Sequence, residues 1–513
     1  MPTTISSVTG RRPLSGLLTA LAVATIGMTL QAANFTPGNV VVYRVGDGVI
    51  LINKSTTTSA PVFLDEYDIA GTLIQSVAMR TTTSGAQQSL LAGFNASTEG
   101  LISLSQDERY IIVPGYNGNV GDAKPSTAAV ARVIGRVAMD GTMDTSTMFT
   151  NLLAGTNIRS AASFDGQSFY SVGGKDGVVY TALGDTSGIE VDTGTQTNNR
   201  AVKVVEGKVF VSNASTAPAV PKIMFLPGIP KTAAALAFNT SMTGLPMGAT
   251  GANTNGFAFI KVGTTTLKFN TLYISNLTKV EKYYTTNGDD WTAAGSVTVN
   301  GTSPSILGIG ANKNGVGGTV RLFFTVSAAA GNDTSLQYID DTSVQGGTLT
   351  GTPTTIITKT IPTSPTTAAG VAFRGAVAIP VGVTAVDLVT FSANPAVKGG
   401  VNLTWQTSTE SDNVGFNVWR ANTVNGTYTK INKTLIAAKG DAFTGASYGF
   451  VDTTAAKGTT YYYKIENMER AGTSVFYSPI PGKAAGATPA PAPAPSKPSP
   501  VKSKDSSART SSN

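Results

Sequence analysis

Short apolar runs alternate with turn-forming residues along most of this chain, and one arrangement of them returns six times. Each copy opens on a polar residue and continues as a strand of small and apolar residues. It then turns and runs into a second, more apolar strand. The copies begin near Thr98, Ile158, Asn199, Thr254, Pro304 and Phe373. The runs 110–113, 209–211, 272–274 and 322–324 are apolar throughout, as strands covered on both faces are. Between strands stand pairs suited to positive φ, namely Asp140-Gly141, Asp165-Gly166 and Glu206-Gly207.

The polar residue that opens each copy serves as an index: Glu99, Arg159, Arg200, Asn255, Ser305 and Arg374. Neighbouring indices stand between 41 residues (Arg159 to Arg200) and 69 residues (Ser305 to Arg374) apart. Four strands with their turns need about 40 residues. The longer units therefore carry loop insertions, 115–127 and 243–254 among them. A repeat of this size predicts an all-β fold, a β-propeller of six blades. Seven blades result if one of the longer spacings hides a degenerate blade. The last copy supplies one strand, 373–380, and stops, while strands at 40–45, 61–68 and 72–78 precede the first copy. The expectation is that the N-terminal strands complete the blade that the C-terminal strand begins, so that a propeller over 34–383 has no free sheet edge.

After about Val386 the texture changes to alternating, half-buried strands, roughly seven of them in about 95 residues, which is the arithmetic of a sandwich. The residues Val401-x-Leu403-x-Trp405 come first. They are followed by Thr409-Glu410-Ser411-Asp412-Asn413-x-Gly415-Phe416-x-Val418-x-Arg420. Tyr448-x-Phe450-x-Asp452 and Gly458-Thr459-Thr460-Tyr461-Tyr462-Tyr463 complete the set. On these residues 384–484 resembles a fibronectin type III-like β-sandwich of bacterial secreted proteins. The resemblance covers about a fifth of the chain and implies a spacer, adhesion or presentation role. Glu410, Asp412 and Asn413 read as a turn network, with calcium or ligand binding as the alternative.

The termini fit an exported protein. Arg11-Arg12 precede an apolar stretch, 14–30, and Gln31-Ala32-Ala33 offers small residues for cleavage, so 1–33 reads as a signal peptide. The alternative is an uncleaved anchor, although the stretch is broken by polar residues and is short for a span. No second long apolar run follows, so no integral span is expected after cleavage. Residues 485–513 are rich in Pro, Ala and Ser with scattered Lys, a disordered basic tail or a segment attracted to an anionic wall polymer.

Composition then removes whole classes of chemistry. The 513 residues include no cysteine and no histidine. Thiolate and imidazole nucleophiles, bases and metal ligands are thereby excluded, and no metal or cofactor is expected. Of the net charge of +7, about +1 remains once leader and tail are set aside, too little for a nucleic-acid footprint. The candidate site is the index column. Equivalent positions on innermost strands share one height, so Glu99, Arg159, Arg200, Asn255, Ser305 and Arg374 are expected to form a polar ring at a channel mouth. Three guanidiniums can hold an anion such as a uronate or phosphate; alternatively they bond neighbouring backbone carbonyls. The reading is a secreted or cell-surface, non-catalytic binding protein whose partner is an acidic saccharide, a cell-envelope polymer or another surface protein. A carboxylate-based carbohydrate-active enzyme at the channel mouth is the alternative, and it needs two acids facing one cleft.

Overall fold

The computed structural model describes residues 33–484 except 50, 54–57, 127–129, 193–195, 218–219, 234–235, 239–241, 247–253, 263–266, 268, 300–304, 314–318, 328–332, 344, 361–366, 381–385, 398, 411–412, 441–444, 470–473 and 478. The expected export segment up to residue 32, the tail and Asp412 lie outside the described residues. Every regular element among those described is a β-strand, and every ladder between strands is antiparallel.

Six groups hold most of the described strands up to residue 380; Leu51–Asn53 and Thr367–Ala369 pair separately with each other. Group A runs in the order Ala372–Ala378, Val40–Val45, Ser59–Tyr67 and Leu73–Ala78, so strands from both ends of this region share one sheet. Group B holds Ser103–Leu104, Tyr110–Tyr116, Arg132–Ala138 and Met143–Phe149. The short strand Leu91–Gly93 pairs with both and joins A and B into one sheet of nine strands. Group C holds Ile158–Ser163, Ser168–Gly173, Val178–Ala182 and Ile189–Glu190. Group D has three strands, Asn199–Val205, Lys208–Asn213 and Ile223–Leu226. Group E holds Thr254–Ile260, Thr271–Asn276, Lys279–Thr285 and Trp291–Thr298. Group F holds Ser305–Lys313, Val320–Ser327, Asp333–Asp341 and Thr354–Thr360.

Local chemistry explains the pairing. The Glu206-Gly207 link between the first two strands of group D has both residues at positive φ (53° and 64°), the twist that closes a two-residue hairpin. The second strands are the apolar runs read from the sequence. Ile111, Ile112, Val113, Val209, Val211, Leu272, Ile274, Leu322 and Phe324 are all buried, because each sheet is covered by its neighbours on both faces. The acids Asp65 and Glu66 face opposite ways, as alternation demands. Asp65 pairs with Arg44 (2.6 Å), while Glu66 accepts from Thr36 N and Asn39 Nδ2.

The opening strands of the six groups pack against one another in chain order: B against C, C against D, D against E and E against F. The Ala372–Ala378 strand of group A packs against both F and B. Small residues let them approach. A Cβ added to Gly308 would lie 2.8 Å from Gly375 Cα, and one on Gly375 would lie 2.6 Å from the carbonyl oxygen of Gly100.

From Val386 onward the described strands pair only among themselves. One sheet holds Val386–Pro395, Val401–Glu410 and Ser447–Asp452. The other centres on Asn413–Ala421 and Thr460–Glu469. Both contribute to one core: Leu403, Trp405 and Tyr448 from the first, Phe416, Val418 and Tyr463 from the second. Trp405 is 1% exposed, stacks on Tyr448 (5.3 Å) and meets Phe416 edge-on (5.5 Å). Three of the C-terminal segments singled out in the sequence meet at Asp452, whose carboxylate accepts from Arg420 (2.8 Å) and Tyr463 (3.0 Å). Glu410 accepts from Thr407, Tyr448, Asn413 and Gly440, which is a turn network.

Candidate functional site

Four of the index residues, Arg159, Arg200, Asn255 and Arg374, stand where the opening strands carry an irregularity, while Glu99 precedes the first strand of group B. In group C, Ile158 pairs with Gly173 and Ser160 with Val172, which leaves Arg159 as the extra residue of a bulge. The register also shifts at Arg200 and Ala201 opposite Ser212, at Asn255, and at Arg374 and Gly375 opposite Tyr43. A bulge re-aims a side chain and bends its strand, which sends these polar groups away from the apolar faces between sheets.

Group F shows where the sequence reading slipped. Its shift falls between Ile306 and Gly308, so the bulged residue is Leu307, not Ser305. Ser305 opens the strand two residues earlier. The corrected column is Glu99, Arg159, Arg200, Asn255, Leu307 and Arg374, each followed by a small residue: Gly100, Ser160, Ala201, Gly256, Gly308 and Gly375. That small follower is the signal that could have set the register. It marks where neighbouring opening strands touch, whereas polarity alone does not.

Most of the column is engaged with protein. Arg159 Nη1 donates to Asn199 O (2.9 Å) and Asn198 Oδ1 (3.0 Å), at the start of group D. Asn255 Nδ2 donates to Ile306 O (2.7 Å) in group F. Arg374 is 3% exposed and donates to Phe94 O (2.6 Å) and Phe373 O (3.0 Å). Glu99 is buried, accepting from Gly93 N (3.0 Å) and Tyr116 Oη (2.7 Å), while Tyr116 Oη accepts from Ile158 N of group C (3.2 Å). For Arg159, Asn255 and Arg374 the backbone-bonding alternative therefore describes the geometry, and an open ring of six polar groups does not. These bonds tie one group of strands to the next, because a buried polar side chain must find a partner and the nearest are unpaired carbonyls where strands begin.

Arg200 differs. It is half-buried, and among the described residues it has neither a hydrogen bond nor an ion pair; its Nε, like those of Arg159 and Arg374, is enclosed without a partner. Burial, with Arg159 close by, pulls its guanidinium down to about 10. Burial also pulls Arg374 down to about 10, and pushes the Glu99 carboxyl up to about 7 against the opposing effect of Tyr116, Gly93, Arg374 and Arg159. The structure thus brings Glu99 within electrostatic reach of Arg159 and Arg374, and Arg159 within reach of Arg200.

Below this layer the opening strands leave almost no space between them. The space between Ser160, Ala201, Gly256, Gly308 and Gly375 is about 10 Å³, room for about one water. It widens at the far end into a cleft of about 200 Å³ lined by one carboxylate, Glu108, and one cation, Lys203. Two acids flanking a sugar are not found there. No cluster among the described residues has the ligands for a metal ion, and no helix among them is long and apolar enough to cross a membrane. Lys203 went unremarked in the sequence because it follows the repeat as an ordinary strand residue.

No protein-family model matches the chain, and no curated protein matches it. Among solved structures, a hypothetical selenium-binding protein from Sulfolobus tokodaii is similar at TM-score 0.32 and 8% identity, over 88% of this chain and 93% of that one. The computationally designed Ika8 protein is similar at TM-score 0.29 and 8% identity, over 87% and 99%. YCF48 from Cyanidioschyzon merolae is similar at TM-score 0.26 and 12% identity, over 69% and 94%.

Proposed function

We propose that this chain is an exported, non-catalytic binding protein of the cell surface or surroundings, built as a six-bladed β-propeller over 34–383 and a fibronectin type III-like sandwich over 384–484. Groups A to F are read as the blades. The sequential contacts of their opening strands, and the mixing of early and late strands in group A, support that reading. The sandwich serves as a spacer that presents the propeller, and the basic tail adds attraction to anionic polymer that salt screens. The 1–33 leader directs export.

The ligand is an acidic saccharide of envelope polymers, and the observation that carries this is Arg200. It is the one arginine of the column with no partner among the described residues, beside a second cation, Arg159. Two like charges in a partly dry setting favour an anion that bridges them. A planar guanidinium fits a uronate carboxylate in bidentate fashion.

The test is a panel of uronate-containing, sulfated and neutral polysaccharides applied to the purified chain at low and high salt. Acidic members should bind, with affinity falling steeply as salt rises. Arg200→Gln should weaken that binding about tenfold or more without lowering the melting temperature. Retained binding by a folded Arg200→Gln chain, or equal binding of neutral polysaccharides, would overturn the proposal. Sequencing the N-terminus of the secreted chain checks export.

A further inference from the structure

We propose that the cleft at the opposite end of the axis, around Lys203, binds a small organic carboxylate. The position three residues after the index is occupied by Ile102, Ala162, Lys203, Ala258, Gly310 and Val377. Five of these are apolar or lack a side chain. One ammonium therefore stands where every other group of strands presents no charge.

That ammonium has little to hold. Its Nζ reaches toward group F and lies 3.5 Å from Ile309 O, and it sits 5.9 Å from the centre of the Phe257 ring. An ammonium carries three donors, and no carboxylate among the described residues lies within ion-pair distance of it. Glu108 lines the same cleft but stands at its exposed rim. Burial pulls Lys203 down to about 8, so the charged form still predominates at neutral pH. A partly desolvated cation with unspent donors is stabilised by an anion in its cavity, through charge-assisted hydrogen bonds.

The walls set the size of that anion. Val205, Phe259 and Ala311 give an apolar lining, and the volume is about 200 Å³. That is below the roughly 300–1,000 Å³ of sites for drug-sized ligands. A polysaccharide does not fit, whereas a short hydroxy or keto acid does. The narrow waist of the axis separates this cleft from the Arg200 end, so the two sites take different ligands.

Lactate and its uncharged amide, lactamide, differ only in the group that Lys203 would recognise. Calorimetric titration of the full chain at neutral pH should show lactate binding and no lactamide binding. Lys203→Met keeps the length of the side chain without its charge. It should weaken lactate binding about tenfold or more while the chain melts at the same temperature or higher. On the unmodified chain, lactate but not lactamide should slow arylation of Lys203 by trinitrobenzenesulfonate, read by peptide mass spectrometry. Equal binding of the two compounds would overturn the proposal. So would unchanged lactate binding by Lys203→Met, or arylation of Lys203 indifferent to millimolar lactate.

Discussion

Val40 lies directly opposite Ala378 in the antiparallel ladder that joins the first strand of the described chain to the last strand before Val386. Group A is built on that pairing. Its core mixes Val41, Tyr43 and Val45 with Val377 and Ile379, so neither end of the region can finish the sheet alone.

Deleting residues 34–78 should therefore abolish the cooperative thermal transition of the region before Val386, not merely lower it. Removing these four strands, three of them in group A, bares the Ala372–Ala378 ladder edge and strips its apolar cover. A truncated chain with an unchanged transition by circular dichroism would refute this dependence.

Glu99 should impose a pH dependence on stability. Its carboxyl is raised in the folded chain, so the folded state holds a proton that the unfolded state has released. Stability is then highest below the ordinary glutamate range and falls as pH rises from about 4.5 to about 7. Each pH unit of that interval is worth about 1.4 kcal/mol at most. Glu99→Gln should flatten this part of the stability profile. Denaturant melts from pH 4 to pH 8 measure it, and parallel profiles for the two chains would count against the assignment.

Lys282 and Asp341 form an ion pair of 2.8 Å between groups E and F, fully buried on both sides. Asp341 also accepts from Tyr273 Oη (2.6 Å). Lys282→Met leaves a buried carboxylate without its cation and should cost about 3–5 kcal/mol. Replacing both partners, Lys282→Met with Asp341→Leu, should cost less than the single change. The two melts decide it: a double variant less stable than Lys282→Met would show that the pair contributes more than its own desolvation takes away.

Gly375→Ala should destabilise the region by about 1–3 kcal/mol. The added methyl would meet backbone atoms of Gly100, Leu101 and Ile102 at under 3 Å, and backbone cannot rotate aside. Gly121→Ala has open space around its Cβ but a φ of +94°, so any cost there is backbone strain alone. A melting temperature for Gly375→Ala equal to the parent's would refute the close approach of these strands.

Trp405→Ala should cost the C-terminal sheets about 3–5 kcal/mol, since the ring touches Tyr448 and Phe416 from both sheets. Calorimetry on the full chain should show one transition lowered and the other in place. A uniform shift of both would mean that the two regions unfold together.

Much of the strand plan was legible along the chain. Apolar runs, positive-φ pairs and alternation are local properties, set by what a residue's own backbone and its immediate neighbours allow. They placed the second strands, the Glu206-Gly207 hairpin and the textural change near Val386, and they led to the pairing of the first strand with the last. The fate of the index residues is not local. Whether a guanidinium meets a carbonyl, as Arg374 meets Phe94 O, or meets nothing among the described residues, as with Arg200, depends on a strand far away in sequence. The one-residue bulges that set Leu307 in place of Ser305 likewise exist only in the pairing of two strands. Lys203 gains its interest from the cleft around it, which four other strands line. Sequence order determines which groups can form strands; the distances between strands decide which polar groups are spent on the fold and which are left to bind.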